Sequence, residues 1–78
     1  MAELDKILAD VARAIVDDPS SVSVIREDDG DNVTLTLKVA PDDMGKVIGR
    51  HGRIAKAIRS VVKAAANKAG KKATVEIR

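Results

Sequence analysis

The chain has 78 residues and contains no cysteine and no Phe, Tyr or Trp, which excludes disulfides, thiolate metal sites and aromatic platforms for stacking bases. Its length predicts one small domain spanning residues 1–78, and an acidic N-terminus without a long apolar run predicts a soluble, cytoplasmic protein with no signal peptide and no membrane contact. The net charge of +2 hides an asymmetry that suggests a polyanion-binding face, since residues 1–43 carry −7 (four Lys/Arg, eleven Asp/Glu) and residues 44–78 carry +9 (ten Lys/Arg, one Glu).

One helix and two strands are predicted in the acidic half of the chain. Apolar residues at helical spacing predict an amphipathic helix over roughly residues 2–16, which ends before Pro19. Residues 22–27 read as a strand, and the strict alternation over residues 33–39 predicts a second strand with one covered and one wet face. The turn at 28–32 is rich in Asp but lacks the spacing of an EF-hand, so no metal site is predicted.

Two helices and a strand are predicted in the basic half. A short helix over residues 44–48 follows Asp42 and Asp43, either of which is a suitable N-cap. A long helix is predicted over 53–69 and a final short strand over 73–77. The predicted buried stripe of the long helix comprises Ile54, Ala57, Ile58, Val61, Val62 and Ala65. Its opposite, polar face comprises Lys56, Ser60, Lys63 and Asn67.

The link between these two helices, Gly49–Gly52, has a glycine at each end and Arg50 and His51 between them. Glycine permits a sharp turn and the close approach of another backbone. The helix that begins at Arg53 points its free N–H groups and the positive end of its dipole towards the link, which favours a phosphate there.

Other glycine motifs do not fit this context. A P-loop requires Ser or Thr after Gly-Lys, but Val47 follows Lys46, and the glycine spacing is wrong for a dinucleotide-binding fingerprint. The flanking strands disfavour a DNA-binding helix-turn-helix protein. His51 is the only histidine, and without cysteines or a Ser-His-Asp set around it the chain indicates neither a metal site nor an enzyme.

The predicted order α-β-β-α-α-β, with a GXXG link between two helices, resembles the type II KH domain. The resemblance implies an α+β fold in which helices pack on one face of a three-stranded sheet. The stretches that carry a closer resemblance are Val39-Ala40-Pro41, Ile48-Gly49-Arg50-His51-Gly52-Arg53-Ile54-Ala55-Lys56-Ala57-Ile58-Arg59 and Val75-Glu76-Ile77. They resemble the KhpA family of small stand-alone bacterial KH proteins, and the match extends over essentially the whole chain.

The KhpA resemblance implies a single-stranded RNA-binding protein without a cofactor. It implies an RNA chaperone and post-transcriptional regulator that acts with a second KH protein, KhpB, in peptidoglycan homeostasis and the control of cell length. RNA is expected in a groove between the short helix, the GXXG link and the edge of the second strand, with about four nucleotides held. The residues expected at this RNA site are Lys46, Val47, Ile48, Gly49, Arg50, His51, Gly52, Arg53 and Lys56.

So short a site predicts weak binding by one domain, so a homodimer or a complex with a KhpB-like protein is expected to raise the affinity. The long helix is the expected contact in a homodimer, through Ile58, Val61 or Val62. An alternative function stays open at this point: a KH-fold module for protein–protein interaction and dimerisation, with little RNA binding of its own.

Overall fold

The computed structural model describes residues 3–78, which form three α-helices, three short 3₁₀ turns and one sheet of three strands. The helices and strands are, in chain order, α1 Leu4–Ile15, β1 Ser23–Asp29, β2 Asn32–Lys38, α2 Met44–Ile48, α3 Arg53–Lys68 and β3 Lys72–Ile77. The predicted order is confirmed, with bounds that agree to within two residues. Ala2, the predicted first residue of α1, lies outside the described residues.

The sheet has the order β1-β2-β3, so that β2 is its central strand. Strands β1 and β2 form the antiparallel hairpin, and β3 pairs in parallel with the other edge of β2; Leu35, for example, lies between Arg26 of β1 and Val75 of β3. A parallel pair requires a crossover connection, which α2 and α3 supply here. The prediction that the RNA groove runs along a free edge of the second strand is therefore wrong. Strand β2 has a neighbour on both sides, and the edge of the sheet beside α3 belongs to β3.

The core lies between the sheet and the helices that pack on one of its faces. The alternation of β2 buries Val33, Leu35 and Leu37, as predicted, and α1 contributes Leu4 and Leu8. Since this small core is built entirely from aliphatic side chains, its stability depends on close packing of a few residues. Among the helices of residues 3–78, none combines the length and the hydropathy of a transmembrane span.

The buried side of α3 differs from the predicted stripe. Its buried residues are Ala55, Ile58, Val62 and Ala66. Ile54, Ala57 and Val61 are exposed instead, with Val61 exposed to 51%. The helix is apolar around more than half of its circumference, and periodicity alone does not show which of two adjoining stripes faces the sheet.

Because a different side of α3 is buried, the predicted contacts of a homodimer must also be corrected. Ile58 is 3% exposed and Val62 is fully buried, and both belong to the core of this chain. Their assignment to an interface with a second copy is wrong, because neither offers a surface to a partner. Val61 is the predicted contact that lies at the surface.

Candidate nucleic-acid interface

The GXXG loop, Gly49–Gly52, forms a tight turn between α2 and α3 in which three residues have positive φ. Gly49 has φ 75° and ψ 175°, and Gly52 has φ 71° and ψ 14°. His51 is the only described residue other than glycine with positive φ, at φ 57° and ψ 25°. Histidine tolerates this left-handed region better than most residues. The backbone N–H of Gly52 donates to the carbonyl of Gly49 over 3.2 Å and closes the turn.

The backbone of this turn suits an anion. His51 and Gly52 are both in the left-handed region and Arg53 is in the right-handed one, and successive N–H groups in a turn of this kind form a concavity that binds anions. Directly after the turn begins α3, whose 16 residues add the positive end of a helix dipole. The predicted phosphate-binding character of the link therefore has a physical basis in its backbone as well as in its side chains.

Gly49 is packed, whereas Gly52 is open. A Cβ at position 49 would lie 2.6 Å from Cγ1 of Ile54 and 2.9 Å from its Cβ, so only glycine lets the loop close onto the first turn of α3. For a Cβ at Gly52, no atom of the described residues lies within 4 Å apart from those of the adjoining residues. The contact with Ile54 fixes how the loop meets α3, and it explains why this apolar side chain faces the loop and not the core.

Basic side chains surround the turn. Arg50, His51, Arg53 and Lys56 are exposed, and within residues 3–78 no carboxylate oxygen lies within 4.0 Å of their basic nitrogens. Lys46 differs, because its ammonium group is paired with the carboxylate of Asp17.

The hydrogen bond from Lys46 to Asp17 raises the pKa of Lys46, so the lysine keeps its charge. A phosphate would have to compete with Asp17 for that charge. Of the predicted site residues that carry a cation, Lys46 is therefore the one already engaged by a carboxylate in the described part of the chain.

The two apolar residues of the predicted site, Val47 and Ile48, differ in exposure. Val47 is fully buried in the core, so its side chain supports the loop from beneath and has no surface to offer a ligand. Ile48 is 39% exposed, and Ile54 across the loop is 37% exposed. These two isoleucines are the accessible aliphatic surface next to the GXXG loop.

A buried carboxylate holds α2 in place. Asp43 is 2% exposed, and its two carboxylate oxygens accept hydrogen bonds from the backbone N–H groups of Asp17, at 3.1 Å, and Asp18, at 3.0 Å. Asp43 stands at the N-cap position of α2, as predicted, but its side chain does not cap that helix and instead bonds the segment after α1.

The tether provided by Asp43 matters because α2 has only five residues and is too short to be stable without tertiary contacts. Nothing in the local sequence reveals this role. An aspartate ahead of a helix looks the same whether it caps that helix or bonds a backbone 25 or 26 residues away.

This chain has the α-β-β-α-α-β order, the mixed three-stranded sheet and the glycine-bounded turn between two helices that define a type II KH domain. A family model described as "KhpA/KhpB, KH domain" matches residues 5–77. The chain belongs to this family, as the resemblance predicts, and the family is not one of enzymes.

Several curated relatives are similar along nearly their whole length. A protein of Clostridium perfringens named RNA-binding protein KhpA is 54% identical over 77 residues, which cover 99% of each chain. The protein of the same name from Clostridium acetobutylicum is 51% identical over 74 residues, 95% of this chain and 99% of the relative. That of Treponema pallidum is 41% identical over 73 residues, covering 94% and 91%.

Proposed function

We propose that the protein binds single-stranded RNA at the GXXG loop. The observation that carries the proposal is the tight turn with left-handed backbone at His51 and Gly52 that leads into the N-terminus of α3, among exposed basic side chains that have no carboxylate beside them. The names of the relatives, RNA-binding protein KhpA, support RNA as the polyanion.

In this proposal the backbone N–H groups of the loop meet the phosphates, and each basic side chain has a distinct position around them. Arg50 and His51 lie on the loop itself, with Arg53 and Lys56 on the first turn of α3. Ile48 supplies aliphatic surface for the faces of the bases, since the chain has no aromatic residue to stack on them. Sequence preference should accordingly be modest, and about four nucleotides would be held.

The salt dependence of binding tests this proposal. Titration of a fluorescent single-stranded RNA at several salt concentrations should give a log affinity that falls with log salt at a slope of roughly −2, as expected for about three neutralised phosphates. A matched duplex should bind more weakly, since only the single strand can enter a short turn with its bases splayed. An affinity for the single strand that does not depend on salt would contradict phosphate capture.

The exposed apolar face of α3 favours a second activity alongside RNA binding, namely association with another KH domain. This face consists of Ile54, Ala57, Val61 and Ala64, which recur at helical spacing and are exposed. A second copy that covered it would bring two RNA sites together and raise their joint affinity through effective concentration. A KhpB-like KH protein is the other occupant that the family name suggests.

Sedimentation of the parent and of Val61→Asp separates these assemblies. The parent should form dimers at high concentration, and a charge at Val61, the more exposed of the two large side chains on the face, should leave monomers. A parent that is monomeric throughout and does not bind a KhpB-like protein would argue against this face as an interface.

The chaperone, post-transcriptional and cell-wall roles implied by the KhpA resemblance, and a cytoplasmic location, belong to the same proposal. A deletion strain with altered cell length, restored by the parent but not by a loop variant, would support them.

A further inference from the structure

Beyond the GXXG loop, the described residues form a basic cleft at the far end of α3. The cleft has a volume of about 270 Å³ and is lined by Lys63 and Asn67 of α3 and by Lys72 and Ala73 of β3. We call it the distal cleft. The expected RNA site does not include any of these four residues, so their arrangement has no role in the function proposed so far.

The distal cleft lies on the same side of α3 as the cations next to the loop. Lys56, Ser60, Lys63 and Asn67 follow one another at intervals of four, three and four residues, which places them in one row along the helix. All four are exposed, and the row lies on the side of α3 that borders β3, where Nε of Arg59 donates to the carbonyl of Val75 over 3.2 Å. The row therefore connects the loop to the cleft without interruption by an acidic residue.

Neutralisation of the helix dipole does not account for the whole row. Cations in the last turn of a helix are favourable there, and Lys68 at the end of α3 is placed for that purpose. Lys63 is more than one turn before the end, where the effect of the dipole has faded. Together with Lys72 of a different element, it gives the cleft two positive charges and an amide that can donate and accept.

We propose that the distal cleft is a second phosphate-binding subsite, which holds the continuation of the same RNA strand that the GXXG loop grips. From Arg53 to Lys63 the helix rises by about 15 Å, which is about four nucleotide steps for a stacked strand at about 3.4 Å per step and fewer steps for an extended strand. The footprint would then be up to about eight nucleotides, compared with about four at the loop alone. This inference rests on the proposed RNA binding at the loop.

Exposed carboxylates of the β1–β2 turn limit how far the bound RNA can extend beyond the distal cleft. The backbone N–H of Lys72 donates to the carbonyl of Asp31 over 2.8 Å, and Asn32 is paired with Lys72, so the turn adjoins the cleft. Asp29 and Asp31 are both exposed there and would repel a phosphate beyond the cleft. Affinity should thus rise with RNA length up to about eight nucleotides and then level off, since further nucleotides meet the carboxylates of Asp29 and Asp31.

A length series of labelled single-stranded RNA, from four to twelve nucleotides, tests the distal cleft. The test variant is Lys63→Ala with Lys72→Ala. Its control is Lys6→Ala with Lys68→Ala, which has the same net charge but changes one lysine of α1 and one that lies about 140° around α3 from Lys63. All four lysines are exposed, so neither variant should lose much stability, which thermal unfolding checks.

The expected result is specific to length. With the test variant, affinity for the eight-nucleotide RNA should fall by roughly fivefold or more and its salt slope should lose about 1.4, because two phosphate contacts are absent. Affinity for the four-nucleotide RNA should stay within about twofold, and the control should follow the parent at both lengths. Equal losses in the test variant and the control, or a parent that binds four and eight nucleotides equally well, would overturn the subsite and leave the loop site intact. Absence of binding at every length would overturn both proposals.

Discussion

At the α2 end of the GXXG loop the backbone of Gly49 lies against Ile54, whereas at the α3 end Gly52 is open to solvent. Both glycines have positive φ, so each position is costly for any residue with a side chain. Only at Gly49 is there also no room for a Cβ. The comparison shows that the two glycines of one motif have different physical requirements, one of packing and conformation together and one of conformation alone.

The largest loss of stability is expected for Gly49→Ala. Strain at positive φ and the clash with Ile54 together should cost about 3 kcal/mol of the free energy of unfolding, measured by chemical denaturation. The matched control is Gly45→Ala, because Gly45 lies within α2 and a Cβ there would have no described atom within 4 Å apart from its chain neighbours and the backbone of its own helix. Alanine at 45 should be neutral or stabilise by about 0.5–1 kcal/mol. Similar losses at both positions would show that Ile54 does not restrict Gly49.

The next largest loss of stability is expected for Asp43→Asn. The amide has one acceptor oxygen in place of two, so one of the backbone N–H groups of Asp17 and Asp18 loses its charge-assisted partner. The expected cost is about 2 kcal/mol. Asp42→Asn, at the exposed neighbouring position, should change the free energy of unfolding by less than about 0.5 kcal/mol. If the two substitutions cost the same, the buried carboxylate does not hold α2.

Gly52→Ala should cost less than Gly49→Ala, about 1–2 kcal/mol, because only the left-handed backbone opposes it. Gly52→Asn should cost less again, since asparagine visits this conformation more readily. Denaturation curves of the two variants measured together with Gly49→Ala test the order of the three directly. A cost at Gly52 that equals the cost at Gly49 would remove the difference between the two ends of the loop.

The same distinction, between local conformation and tertiary packing, separates what could be predicted from the sequence from what could not. The alternation of Val33, Leu35 and Leu37 predicts the hairpin strand correctly because burial on one face of a sheet has a period of two residues. The position of the GXXG loop follows from its glycines and from the apolar helices around it.

Tertiary contacts determine the features that were predicted wrongly or not at all. Whether α3 buries Ala55 or Ile54 depends on the packing of Ile54 against Gly49, and the partners of Asp43 lie on another part of the chain. The order of strands in the sheet, which moves the edge from β2 to β3, likewise depends on the crossover and not on any strand's own pattern. Local periodicity therefore defines the elements, while long-range contacts decide which of their faces are available.

The central claim, that the loop itself captures RNA, is tested most directly by the double variant Arg50→Asp with His51→Asp. Both side chains are exposed and aspartate tolerates the left-handed conformation at 51, so the free energy of unfolding should change by less than about 0.5 kcal/mol. Lys6→Asp with Ser23→Asp, at exposed positions in the acidic half, gives the same change of charge as a control. Titrated with a labelled single-stranded RNA, the loop variant should lose affinity by about tenfold or more, and the control should lose much less. A folded loop variant that binds the single strand as tightly as the parent would contradict the claim and leave association through α3 as the function of the domain.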